Sequence, residues 1–216
     1  MGSVKILVLV ERDYRILGEI ERWRFCLGRH IKLLASFEGQ RACDRRLKAL
    51  IDAGYIDRKK ILYGIPSIYF LTHKGKMLIG ANKRQDKIRV ERIPHDIAVI
   101  ETAIYFILKN NVLLDEIMTE KQIFSMLGFG ERKHCPDFVI DKDGKKNCVE
   151  IEISLKAKAR FEKIAEENYL GYDTQIWVVA KTGYKIKKML NDLSKKYQNI
   201  EIIDLEGVQE FVRLNK

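Results

Sequence analysis

Asp137 directly after Pro136, and Glu150 and Glu152 two residues apart, are the side chains in this sequence with the most chemistry to offer. The stretch Cys148-Val149-Glu150-Ile151-Glu152-Ile153-Ser154-Leu155-Lys156 alternates apolar and polar residues, the pattern of a β-strand. Side chains of a strand alternate between faces, so Glu150 and Glu152 share one face. Adjacent carboxylates repel, and fold stability alone does not call for them. A divalent cation or a basic partner would relieve that repulsion. Hard oxygen donors of this kind hold Mg²⁺ or Mn²⁺, and such ions activate water against a phosphodiester. Asp137 and Glu150 are the candidate metal ligands, and Glu152 and Lys156 the candidates for orienting water or taking its proton. Glu101 is a further candidate acid. The plainer alternative is that Glu150 and Glu152 form the solvated face of an amphipathic strand.

Elements that would position these residues follow from periodicity. Strands are expected at 136–141 and 148–154 around the turn Asp141-Lys142-Asp143-Gly144-Lys145, with further strands at 112–117, 174–180 and 200–205. Helices are expected at 95–109, 156–169, 184–197 and from 208 onward. Strands interleaved with helices favour a mixed sheet flanked by helices.

The 216 residues carry a net charge of +10, unevenly placed. Residues 1–92 hold 21 Lys/Arg against 10 Asp/Glu, whereas residues 93–216 hold 19 against 20. The whole excess lies in the first segment, as suits a polyanion partner, although a lysine-rich surface kept for solubility would look alike. The pattern beneath the charge points to nucleic acid. A strand at 4–10 and helices at 11–25, 30–35 and 40–53 precede two strands, at 55–60 and 65–72. In the third helix Cys43, Leu47, Leu50 and Ile51 form an inward stripe, while Arg41, Arg45 and Lys48 share another face, with Gln40 and Asp44 near its start. Such a helix can lie in a major groove, Arg meeting guanine edges and Lys meeting phosphates. Lys59 and Lys60, at the end of the first of these two strands, and Tyr63 in the turn after it would reach the DNA backbone. The first domain is assigned to 1–80, a basic linker to 81–92, and the second domain to 93–216.

No apolar run approaches the roughly 18–20 residues of a membrane span, and the start lacks a signal-peptide pattern. Cys26, Cys43, Cys135 and Cys148 show no CxxC spacing, so reduced thiols and a cytoplasmic setting are expected. His134, Cys135 and Cys148 could meet across the hairpin and bind zinc, but no fourth ligand is evident.

The segment 45–56, with Gly54-Tyr55-Ile56, followed by Tyr69-Phe70-Leu71-Thr72-His73-Lys74-Gly75, resembles many winged helix-turn-helix proteins. Pro136-Asp137 followed by Glu150-x-Glu152 resembles the PD-(D/E)xK nuclease superfamily, with Glu152 standing where lysine is usual. The order of these motifs along the chain, with Pro94-His95-Asp96-Ile97-Ala98-Val99 between them, resembles the replication-relaxation family of mobile-element proteins. That resemblance implies an α/β chain with an N-terminal winged helix and a PD-(D/E)xK-type core, DNA as partner, and Mg²⁺ or Mn²⁺ if the core cuts. A homodimer would suit a palindromic target. The alternative is a regulator that binds DNA without cutting and uses the core for dimerisation or docking.

Overall fold

The structure, a computed structural model, describes residues 7–82, 87–126 and 134–215. Its contacts divide the chain between Ile97 and Ala98 into two compact units.

The first unit opens with helices α1 (Glu11–Trp23), α2 (Gly28–Leu34) and α3 (Gln40–Asp52), with the short strand β1 (Cys26–Leu27) before α2. Strands β2 (Ile56–Lys59) and β3 (Ile68–Leu71) and helix α4 (His73–Leu78) follow. The sheet is antiparallel, in the order β1-β3-β2. Of the stripe expected on α3, Cys43, Leu47 and Leu50 are buried, and Ile51 is half-buried at its edge. Helix α1 stops at Trp23 because Arg24 takes a positive φ of 69°.

The strand expected at 4–10 is not formed by its described residues: 7–10 are irregular, and 4–6 lie outside the described residues. A strand needs a ladder partner, and the edge of β3 away from β2 is taken by Cys26 and Leu27. The hairpin strands are shorter than expected, and the connection from Lys60 to Ser67 is longer. Ile61, Leu62 and Ile65 pack against the core of Phe25, Leu27, Ile68, Ile93 and Ile97, as does Ile88 from the charged stretch 81–92. Residues 83–86 of that stretch lie outside the described residues. Val90–Arg92 form a 3₁₀ turn that leads directly into α5 (Ile93–Asn110).

Helix α4 explains the Leu-Thr-x-Lys-Gly motif. Thr72 Oγ1 accepts from Gly75 N at 3.1 Å, capping the helix, and donates to Gly54 O at 2.6 Å. Lys74 Nζ donates to Ala53 O at 2.7 Å, so the motif ties α4 to the end of α3. A Cβ on Gly75 would lie 2.1 Å from the Tyr55 carbonyl oxygen. The obstacle is backbone, which has little room to shift. Gly75→Ala is expected to lower the stability of this unit by about 1–3 kcal/mol, the usual range for overpacking, read as a lower midpoint in chemical denaturation.

The second unit is built on a five-stranded mixed sheet, as expected. Its strands are β4 (Ile117–Thr119), β5 (Phe138–Lys142), β6 (Lys145–Glu152), β7 (Thr174–Val179) and β8 (Ile200–Asp204), in sequential order across the sheet. The pairs β4–β5 and β5–β6 are antiparallel, and β6–β7 and β7–β8 are parallel. The strand expected at 112–117 lies later, because Leu114–Glu116 form a 3₁₀ turn and α6 (Glu120–Met126) follows at once. Helices α7 (Lys158–Gly171) and α8 (Tyr184–Ser194) cover one face, where Phe161, Ile164, Trp177, Val179, Ile186 and Leu190 form the core. On the other face Phe106 of α5 meets Phe138, and Phe211 of α9 (Leu205–Leu214) meets Tyr105. Among the described residues no helix is long and apolar enough to cross a membrane.

Candidate functional site

The register of β5 on β6 decides which acids meet. Phe138 pairs with Val149, so the position before it, Asp137, comes opposite Glu150. Period-two alternation then places Asp137, Glu150 and Glu152 on one face, the face under α7. Both glutamates are buried there, Glu150 3% exposed and Glu152 1%, while Asp137 is half-buried. A solvated amphipathic strand is therefore not what β6 is. Its apolar partners Val149 and Ile151 are equally buried on the opposite face.

Each carboxylate is met by a donor of the same unit. His134 Nε2 lies 2.5 Å from Glu150 Oε1, and Asn168 Nδ2 of α7 donates to the same oxygen at 3.0 Å. The His134 backbone N–H donates to Glu167 Oε2 at 2.8 Å, which fixes the residue carrying that ring. Asp137 Oδ2 accepts from the backbone N–H of Ile151 at 2.9 Å. Glu152 is paired with Lys156. Strand β6 ends at Glu152, so Lys156 is not on it; its ammonium reaches back from the turn before α7.

Burial pushes the Glu150 carboxyl above its ordinary range, and the Asp137 charge adds to this against the pull of His134 and Asn168. Glu152 is likewise raised by burial and by Glu150 and Asp137, with Lys156 opposing. For His134, burial disfavours the charged ring, but the hydrogen bond and the surrounding carboxylates Glu150, Asp137 and Glu167 outweigh it and raise its pKa. Groups with raised folded-state pKa bind more protons in the folded state, so their contribution to stability falls as pH rises. For the glutamates that loss begins above the ordinary 4.5, and for His134 above 6.5. Glu150→Gln is expected to flatten this part of the profile: the difference in unfolding free energy between variant and wild type should move in the variant's favour from pH 5 to pH 8. Equal slopes for the two proteins would refute the assignment.

Oxygen-rich chemistry at this site suits Mg²⁺ or Mn²⁺ by donor type. Glu150 Oε1, Asp137 Oδ2 and Glu152 Oε1 each face a protein donor. Among the described residues no group of three or more His, Cys, Asp or Glu is placed to hold a metal ion. The same holds for the zinc alternative: Cys148 is a buried free thiol whose pKa burial raises, and the His134 ring faces Glu150. Glu101 is buried in α5, where its carboxylate accepts from Gln209 Nε2 at 2.8 Å, in the helical layer over the other sheet face. It is not brought to the cluster. Sequence reasoning missed His134 and Asn168 as partners of Glu150. The only signal was proximity to Pro136-Asp137 for the first, and there was none for the second. A cleft of about 650 Å³ opens beside His134 and Asn168, lined also by Met118, Met126, Val139 and Tyr172.

On the first unit, Gln40, Arg41, Asp44, Arg45 and Lys48 are all exposed on α3. Gln40 Nε2 donates to Asp44 Oδ1 at 2.8 Å, so that pair is engaged along the helix surface. Lys59 ends β2, and Lys60 and Tyr63 lie in the following loop, all three exposed. Tyr63 projects fully into solvent beside Gly64, which turns the loop with a φ of 78°. Arg46, between these exposed residues and the core, forms a two-pronged ion pair with the fully buried Asp13 of α1 and donates to Val8 O at 2.9 Å.

Comparison with protein-family models, with curated proteins and with solved structures finds no match to this chain.

Proposed function

We propose that this chain is a DNA-binding protein of a mobile element, its first unit a winged helix and its second a nuclease-like core. The observation that carries the reading is α3: its Cys43, Leu47 and Leu50 are buried, while Arg41, Arg45 and Lys48 stand exposed on another face. A helix so anchored and so armed matches what a major groove accepts. The β2–β3 hairpin, with exposed Lys59, Lys60 and Tyr63, is the wing of this reading. The replication-relaxation resemblance adds the mobile-element setting; the cysteine pattern adds a cytoplasmic location, and a palindromic target would add a homodimer.

For the core we favour docking or dimerisation over cutting. Glu152 is paired with Lys156, Glu150 with the His134 ring, and Asp137 accepts from the Ile151 N–H. These internal contacts compete with a cation for the same carboxylates. A second reading, a Mg²⁺- or Mn²⁺-dependent endonuclease, is favoured by the gathering of Asp137, Glu150, Glu152 and Lys156 in one place. It would require those internal partners to yield. Nicking of supercoiled DNA with either ion separates the two. The expected result is no nicking above background. Nicking that disappears in both Asp137→Ala and Glu150→Ala would establish the enzyme.

A further inference from the structure

The near-neutral total of the second unit hides a segregation of charge. Residues 153–160 and 180–188 together hold seven Lys/Arg and no Asp/Glu. They are far apart in sequence, but β6 and β7 are parallel and their ends are in register, Glu152 beside Val179. Neighbouring strands lie about 4.8 Å apart, so the two stretches emerge side by side at the carboxyl edge of the sheet. Lys158, Arg160, Lys181, Lys185 and Lys188 are exposed there, and Tyr184 among them is 73% exposed. Acids at this edge are engaged. Glu152 is buried on Lys156, Asp204 holds Lys187 at 2.9 Å, and Glu206 accepts from the Lys181 backbone N–H. Glu162 lies 3.6 Å from Lys158. The Asp204 carboxyl is held below its ordinary pKa, first by the hydrogen bond from Lys187 and further by the charge of Lys181. The amino ends of α7 and α8 open on the same edge and add partial positive charge.

We infer that this edge binds single-stranded DNA, its lysines and Arg160 tracking the phosphates while the Tyr184 ring stacks on an unpaired base. The inference rests on the reading of the chain as a DNA-binding protein and gives it a second surface, for a strand rather than a duplex. The choice of strand follows from the surface itself. It presents a bare aromatic ring, Tyr184, within a basic rim, the combination that holds unpaired bases. Duplex DNA hides its base faces in the stack and would leave Tyr184 unused.

The test is fluorescence anisotropy on the full chain with a labelled oligothymidylate and, separately, a blunt duplex. Lys181→Ala/Lys185→Ala/Lys188→Ala is expected to weaken oligothymidylate binding at least tenfold and to reduce its log–log salt slope by about 2, from about 0.7 per phosphate contact. Tyr184→Ala is expected to weaken it about fivefold or more with the salt slope unchanged. Both variants should keep duplex affinity within about twofold, since duplex binding is assigned to α3. All four side chains are exposed, and unchanged thermal midpoints would confirm folding. Unchanged oligothymidylate affinity in folded variants would overturn the inference. So would wild-type binding to phosphatidylserine vesicles without binding to oligothymidylate. If wild type binds the duplex but not the single strand, this surface falls alone; if it binds neither, the DNA reading falls with it.

Discussion

Arg46→Ala is expected to destabilise the first unit by about 3–5 kcal/mol, the largest stability effect of any single truncation considered. Asp13 is fully buried, and Arg46 meets it with Nε at 2.5 Å and with Nη2. Truncating the arginine leaves a carboxylate with no water and no counter-ion, the costly way to break a buried pair. Asp13 would keep the Val10 N–H, at 2.7 Å, but one neutral donor does not replace a guanidinium. The reverse truncation, Asp13→Ala, should cost less, about 2–3 kcal/mol, because the Arg46 side chain is 24% exposed and can turn its charge to solvent. The double variant should cost less than the sum of the two. Denaturant titrations of the three proteins measure all of this. Equal costs for the two single variants would mean that the pair is not held by buried charge. The result bears on function because Arg46 anchors α3 to α1, so its loss should loosen the helix that carries Arg45 and Lys48.

The second large effect concerns DNA. Arg41→Ala/Arg45→Ala/Lys48→Ala is expected to reduce duplex affinity by about 30-fold or more, since each base-contacting arginine contributes about 1–3 kcal/mol. The three side chains are exposed and outside the buried stripe, so the denaturation midpoint should stay near that of wild type. A flatter salt dependence should accompany the loss, because fewer counterions are released. Gel-shift titrations at several salt concentrations provide the measurement. Undiminished binding by the folded triple variant would move the DNA surface away from α3. The contrast between Arg45 and its neighbour Arg46 is the sharpest part of this expectation. One should change binding with little effect on stability, and the other should act through the fold.

Glu150 and Glu152 show how far local pattern reaches. Alternation with Val149 and Ile151 is a property of any strand, so a shared face for the two acids could be read without coordinates. Whether that face met water or protein could not, because it depends on α7 packing over it. The partners of Glu150 come from 16 and 18 residues away, His134 and Asn168, and no local period links them. The end of β6 at Glu152 was hidden for a similar reason. The apolar alternation continues to Leu155, but Ile153 and Leu155 are exposed, as the core offers them no place.

By itself, the sequence determined the helix stripes, the strand alternation and the concentration of positive charge in the first segment, since each depends on residues a few positions apart or on simple counting. Tertiary structure alone decided that Cys26–Leu27 rather than residues 7–10 would pair with β3, that Gly75 must be glycine beneath the Tyr55 carbonyl, and that two basic stretches would share one edge. It also decided that His134 and Lys156 would pair with the acids of β6. Those outcomes depend on which distant segments compete for the same edge, cavity or charge, and that competition is resolved only when the whole chain packs.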